Sequence, residues 1–282
     1  MNPANLNPAS KWRAIALAGR FVLPIGSSSS DNDSSWHYAG RWLVLWGLLI
    51  WLVDAGIFGA AWRFYGEHHG IRFAPVIVVL AVDFAFGGYR RIWAFAHLIQ
   101  DWLARAPTRP MTIGPAAITA VVAIVLLKYG LLVAMPRGAW NYPWNIFNHL
   151  GWFYPSAAYR PYVLMPIWGC WATMLALTLG RISTKESGRM VAIAHGHRLF
   201  ITVAHWLICT LLTVIYASAE PRHVARGLII SLVVLVAAYL AAFTFARRFR
   251  GQTEETVQAT GLVAELVLLG AYLPAANVIY GY

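Results

Sequence analysis

The sequence predicts an all-α, polytopic integral membrane protein with about seven transmembrane helices, and three observations support this fold class. Hydrophobic residues make up 59 % of the 282 residues and charged residues only 12 %, whereas an average soluble domain carries roughly 25 % charge. The apolar residues form runs close to the ~20 residues needed to cross a bilayer. Basic residues collect in alternate loops between these runs. A chain so poor in charge must expose much of its surface to lipid.

The chain is predicted to divide into two parts. Residues 1–40 form an N-terminal segment, with an interfacial stretch at 11–25 followed by a linker rich in serine and aspartate. Residues 41–282 form the seven-helix membrane domain. Its predicted spans are 41–62, 73–89, 111–136, 161–180, 198–217, 226–246 and 257–280.

The distribution of basic residues predicts the orientation. Most of them lie in the N-terminal segment and after the second, fourth and sixth spans, which places the N-terminus in the cytoplasm and the C-terminus outside. The net charge of +11 suits the anionic cytoplasmic surface of a membrane and does not require nucleic acid. We therefore expect a multi-pass protein of the cell inner (cytoplasmic) membrane. Its expected partners are the lipid bilayer and other membrane proteins.

Two ionisable residues are predicted to pair in the outer half of the membrane. Asp54 and Lys128 each lie about eight residues from the outer end of their spans, which corresponds to a depth of roughly 12 Å. Buried charges within a membrane usually find a partner. The sequence therefore predicts a structural ion pair between Asp54 and Lys128, unless Lys128 extends alone to the outer surface.

Two further carboxylates are predicted to lie nearer the cytoplasm. Asp83 and Glu265 are placed roughly 9–12 Å below that face. They could line a cavity beneath the inner loops, where Arg90 and Arg91 lie, and such a cavity suits a phosphate-bearing ligand held with a divalent cation. Alternatively, each carboxylate pairs with an arginine.

The C-terminal stretch GQTEETVQATGLVAELVLL resembles the cobalamin synthase family (adenosylcobinamide-GDP ribazoletransferase). That family carries a Gly-Gln-Thr-Gly-Asp-Thr segment that leads into a helix with a Glu-Leu-Val sequence. The residues in register here are Gly251, Gln252, Thr253 and Thr256. Glu255 stands at the family's aspartate, Glu254 at a glycine, and Glu265 at the later glutamate. Weaker similarities precede it in the same chain order, such as FGGYRR at 86–91. The resemblance implies that Thr253, Glu255 and Glu265 contribute to a ligand site.

One departure from the family pattern bears on mechanism. The family's acidic signature after Gly-Gly is replaced by GGYRRIWAFAHLIQDW, which retains only Asp101. Phosphoryl-transfer chemistry depends on metal ions that neutralise developing charge. The loss of the clustered carboxylates therefore favours a divergent, non-catalytic member. Such a member would act as a membrane subunit, or bind a phosphate-containing amphipathic ligand at the cytoplasmic face.

Two alternatives remain. An active transferase would join a nucleotide-activated corrinoid to α-ribazole in cobalamin biosynthesis. It would need Mg²⁺, with Glu255 and Glu265 and either Asp83 or Asp101 as ligands. A haem or quinone redox or transport subunit would instead use histidines inside the bundle. The candidate histidines are His97, His195, His197 and His205.

Overall fold

The computed structural model describes residues 8–23, 35–67, 73–104, 114–135, 160–184, 188–217 and 224–280. Within these ranges the chain is helical, and its β-type pairing is confined to an isolated bridge between Ile182 and Gln252. The helices are α1 (Pro8–Val22), α2 (Trp36–Ala39), α3 (Leu43–Ala61), α4 (Phe73–Asp83), α5 (Tyr89–Ala104), α6 (Pro115–Val133), α7 (Arg160–Thr178), α8 (Gly188–Gly196), α9 (Leu199–Ala217), α10 (Val224–Arg248) and α11 (Glu254–Tyr280).

The predicted fold class is confirmed, because a helix occupies each of the seven predicted spans. In the described part of the chain, six helical stretches are long and apolar enough to cross a membrane. The remaining span is α7, whose apolar part, Val163–Thr178, is shorter. The chain is therefore a multi-pass membrane protein, and its orientation stays a prediction.

The second span is longer than predicted. Helices α4 and α5 meet at a kink, Phe84–Gly88, in which Phe86 and Gly87 are not helical, and together they form one apolar stretch of 32 residues, Phe73–Ala104. Placing Arg90 and Arg91 in a loop was therefore wrong, since both belong to α5. The sequence IWAFAHLIQDWLA keeps a helical alternation of apolar and polar residues, and Arg91 is only 3 % exposed.

Helix α7 forms the centre of the bundle. Its side chains from Val163 to Met174 are almost fully buried, and α3, α9, α10 and α11 surround it. Two buried indoles fix it to α9: Trp168 Nε1 donates to Thr213 Oγ1 at 2.8 Å, and Trp171 Nε1 donates to the carbonyl of Thr202 at 3.0 Å. The outer helices α6, α9 and α10 instead present large exposed apolar side chains, as lipid contact requires.

The N-terminal helix packs against the membrane domain. Leu17 and Phe21 of α1 are buried, and Trp46 Nε1 of α3 donates to the carbonyl of Ile15 at 2.7 Å. Residues 24–34 of the predicted linker lie outside the described residues. The division of the chain at residue 40 stays a prediction.

Glycines allow α7 and α11 to approach closely. An ideal Cβ at Gly261 would lie 2.9 Å from the carbonyl oxygen of Gly169 and 2.9 Å from Thr173 Oγ1. Helices in membranes often use small residues at such crossings. We expect Gly261→Ala to lower the free energy of unfolding by about 1–3 kcal/mol, because the backbones must move apart.

Chemical unfolding in detergent measures this effect, with Gly270→Ala in the same helix as the matched control. Nothing lies within 4 Å of an added Cβ at Gly270. The control should raise the free energy of unfolding by about 0.5–1 kcal/mol through helix propensity. Equal effects of the two substitutions would contradict the close crossing.

Candidate functional site

Four charged side chains meet inside the bundle, and we call them the charge cluster: Asp83, Arg91, Lys128 and Glu265. Lys128 Nζ lies 3.1 Å from Asp83 Oδ2 and 2.7 Å from Glu265 Oε2. Arg91 Nη1 donates to the other Glu265 oxygen. All four side chains are at most 5 % exposed. The cluster therefore joins α4, α5, α6 and α11 through two cations and two anions.

Backbone geometry explains how an arginine reaches this depth. Gly169 and Gly261 border Arg91, and an ideal Cβ at Gly169 would collide with Arg91 Nη1 and with Glu265 Oε1. Arg91 Nη2 also donates to Cys170 Sγ at 3.1 Å. Helix α7 thus supplies the space and a soft acceptor for the guanidinium, while α11 supplies its counterion.

The kink between α4 and α5 places Asp83 and Arg91 in the same cluster. Gly87 has φ 114° there, a left-handed conformation that favours glycine. An ideal Cβ at Gly88 would lie 2.9 Å from Asp83 Oδ2, so the backbone of the turn passes beside the carboxylate. An uninterrupted α-helix would give these residues a different angular separation.

The predicted pair between Asp54 and Lys128 is wrong. Lys128 binds Asp83 and Glu265 instead. Asp54 is fully buried, and neither of its carboxylate oxygens has a hydrogen-bond partner. It does lie within electrostatic range of Asp83, Lys128 and Glu265. The depth estimate failed because the apolar stretch continues past Asp83 to Ala104, so Asp83 does not lie near the end of the span.

Arg90 points away from the charge cluster and caps α1. Its Nη1 donates to the carbonyls of Arg20, Phe21 and Leu23 at 3.0, 3.1 and 3.3 Å. A basic side chain at a helix C-terminus satisfies carbonyls that lack partners within the helix. Gln258 Nε2 of α11 donates to the same Phe21 carbonyl at 3.2 Å. The side chains of Arg90 and Gln258 therefore hold α1 against the bundle.

Several arginines lie near the start of α11, and we call this region the basic end of the bundle. Its members are Arg90, Arg181, Arg189, Arg248 and Arg250. Arg189 pairs with Glu254, and Arg90 Nη2 lies 3.9 Å from the same carboxylate. The backbone N–H of Gln252 donates to the carbonyl of Arg181 at 2.8 Å. Arg248 and Arg250 are exposed. The structure thus gathers arginines from four separate segments at one end.

The motif residues at this end have structural roles. The Gln252 amide is buried and donates to the carbonyls of Leu179 and Ala242 at 3.0 and 3.1 Å. Thr253 and Thr256 form a reciprocal cap, in which each hydroxyl accepts the backbone N–H of the other at 3.2 and 2.8 Å. Glu255 is exposed. The structure therefore brings Asp83, Arg91 and Glu265 together but leaves Arg90, Thr253 and Glu255 outside that cluster.

Removing the cap should weaken the start of α11. We expect Thr253→Ala to lower the free energy of unfolding by about 1 kcal/mol, because one backbone N–H loses its acceptor. Thr119→Ala is the matched control, since its hydroxyl bonds only to the Pro115 carbonyl on an exposed face, and it should change stability by less than about 0.5 kcal/mol. Thermal unfolding of both variants in one detergent measures the difference. Equal losses would show that the cap contributes nothing specific.

The candidate histidines contact neighbouring side chains instead of the charge cluster. His197 Nε2 lies 2.7 Å from Thr202 Oγ1, and His97 packs edge-on against Trp93. Burial, with smaller contributions from His205 and Arg41, lowers the pKa of His197 to about 4. In the described part of the chain, no group of three or more His, Cys, Asp or Glu side chains could hold a metal ion.

Some contacts at the site could not be predicted from the sequence. The partner of Glu254, Arg189, lies 65 positions away in a separate helix, and no local pattern connects the two. The sulfur of Cys170 in α7 contacts Arg91 from 79 positions away, and again no local pattern connects the two residues.

Comparison with known proteins gives one match. The family model "Cobalamin-5-phosphate synthase" matches residues 109–273, a region that contains Lys128, the capped start of α11 and Glu265. No curated protein and no solved structure matches the chain.

Proposed function

The chain belongs to the cobalamin-5-phosphate synthase family, and from that premise we propose a role in binding without transfer. The protein would sit in the cell inner membrane and hold a phosphate-containing amphipathic ligand at its basic end, alone or as a subunit beside another membrane protein. The reaction of an active synthase would be absent. A single observation carries this proposal: the carboxylates of the charge cluster are already neutralised by Lys128 and Arg91.

The residues of the charge cluster do not fit Mg²⁺. This ion prefers oxygen ligands in octahedral geometry, usually carboxylates together with water and phosphate. Here both Glu265 oxygens and Asp83 Oδ2 accept from cationic side chains. A dication at this place would be repelled by Lys128 and Arg91, and the low dielectric of the interior strengthens that repulsion. The proposed binding role therefore involves no metal ion at the charge cluster.

The basic end supports the binding part of the proposal. Arg181, Arg248 and Arg250 are exposed there, and arginine suits phosphate because its planar donors match two oxygens at once. The surrounding helices are apolar on their outer faces. An amphipathic ligand could therefore place its phosphate against the arginines and its apolar part against the helices.

Complementation tests the absence of transfer. A strain that lacks cobalamin synthase should not regain cobalamin synthesis when it expresses this chain, with membrane levels matched to an active synthase by immunoblot. Binding is tested separately with adenosylcobinamide-GDP as the probe, by thermal unfolding of the purified chain. We expect stabilisation that Arg248→Gln with Arg250→Gln abolishes. Stabilisation that the double variant retains would contradict the proposed position.

The alternative is an active transferase, which the family match itself favours. Glu255 stands in the motif, is exposed and has no ion pair among the described residues. If complementation succeeds, and Glu255→Gln abolishes it while Lys11→Gln, at an exposed residue outside the basic end, does not, the transferase replaces the binding role. No observation favours the haem or quinone alternative.

A further inference from the structure

A second group of basic side chains, two arginines and two histidines, comes from α2, the turn after it and the chain around the end of α8, and we call it the cationic patch: His37, Arg41, His195 and Arg198. His37 is within electrostatic range of the other three. His37, His195 and Arg198 are exposed, and Arg41 is partly buried. No ion pair joins any of them to an acidic residue in the described part of the chain.

The patch is held in place by close packing of α2 and the following turn against α8. An ideal Cβ at Gly196 would collide with the backbone carbonyl of His37, and one at Gly40 would lie 3.3 Å from His197 Nδ1. These glycines bring basic side chains from two segments together. The two arginines among them, Arg41 and Arg198, are like charges, and their repulsion is unfavourable unless a negative group neutralises it.

Unsatisfied nitrogen atoms lie in the same two segments. Arg41 Nε, Trp36 Nε1 and His197 Nδ1 are buried and have no hydrogen-bond partner. Trp36 is 1 % exposed and His197 is 8 % exposed. A buried donor without an acceptor is destabilising, so it usually indicates a partner that is absent from the protein alone. An anion with several oxygens would supply acceptors here and neutralise the patch.

The position of the patch identifies the kind of anion. Arg198 immediately precedes the membrane span Leu199–Ala217, where headgroups lie. Leu199 and Phe200 beside it are 63 % and 80 % exposed, as expected for side chains in contact with acyl chains. We propose that the cationic patch binds the phosphate of an anionic phospholipid whose acyl chains lie along Leu199 and Phe200.

This site is independent of the proposed function, because it shares no residue with the charge cluster or the basic end. Membrane-surface arginines contribute about 1 kcal/mol each to binding anionic lipid. Arg198→Gln should therefore bind phosphatidylglycerol about 5-fold more weakly than the wild type, and Arg41→Gln with Arg198→Gln about 30-fold more weakly.

The experiment titrates the purified full chain in neutral detergent with phosphatidylglycerol or phosphatidylcholine and counts bound lipids by native mass spectrometry. We expect tight binding of phosphatidylglycerol only. Arg247→Gln is the matched control, because it removes an exposed arginine of α10 that belongs to neither the patch nor the basic end, and it should bind like the wild type. Arg198 is exposed, so the single variant keeps the test valid should the double variant unfold.

Three results would overturn the inference. The first is equal binding of the two lipids by the wild type. The second is an equal loss of affinity in Arg198→Gln and Arg247→Gln. The third is inorganic phosphate displacing the lipid at comparable concentration, which would assign the patch to a free phosphate instead.

Discussion

Lys128→Met is expected to lower the free energy of unfolding by about 3–5 kcal/mol, the cost of removing one partner from a buried ionic group. Lys128 Nζ contacts Asp83 at 3.1 Å and Glu265 at 2.7 Å, and the three side chains are at most 5 % exposed. Without the ammonium, Asp83 has no counterion, and Glu265 retains only Arg91. Methionine fills a similar volume, so the loss reports charge rather than packing.

Two further variants make this expectation specific. Asp54→Asn should change stability little, because neither oxygen of Asp54 has a hydrogen-bond partner and no ion pair is lost. Lys128→Met with Asp83→Asn should recover most of the loss, since the remaining cluster again has one cation and one anion. Chemical unfolding in detergent measures all three. A double variant no more stable than Lys128→Met would mean that the ion pairs do not determine the effect.

Acidification should destabilise the protein through His197. Its pKa is lowered to about 4 in the fold, first of all by burial, whereas an unfolded histidine titrates near 6.5. Between these values the unfolded chain binds the proton and the folded chain does not, so stability falls as the pH falls. The loss begins near pH 6.5, reaches about 3 kcal/mol near pH 4 and then levels off.

Free energies of unfolding measured from pH 7 to pH 4 in neutral detergent, without anionic lipid, test this expectation. His197→Gln should reduce the slope over that window, because glutamine does not titrate. His195→Gln is the matched control two residues away, and its exposed ring should leave the slope as it is. Wild type and His197→Gln with the same slope would refute the role of this histidine.

Much of the fold could be predicted from the sequence because hydropathy depends on local composition. Long apolar runs located all seven spans, although the apolar part of α7, Val163–Thr178, is shorter than the others. The continuation of the second span from α4 into α5 could not be predicted in this way. It depends on a kink between the two helices and on Glu265, which neutralises Arg91 from 174 positions away. Without that counterion in view, the charged side chain made the helix resemble a loop.

The candidate site was predictable in composition but not in pairing. Asp83, Lys128 and Glu265 were identifiable because a charge within an apolar run is costly. Their partners depended on relative depth, and the misplaced end of the second span shifted that estimate. Thr253 illustrates a different limit: a family motif marks a residue as important, but here its hydroxyl caps a helix.

The burial of α7 has a consequence for biogenesis. Nearly all of its surface from Val163 to Met174 contacts protein, and its partners include α9, α10 and α11, which are synthesised later. Until those segments have been translated, α7 contacts lipid or the insertion machinery, and its indole N–H groups lack the acceptors that α9 provides. Assembly of the membrane domain is therefore completed from the C-terminal side, and a nascent chain that stops before Gly251 lacks the helix that encloses its centre.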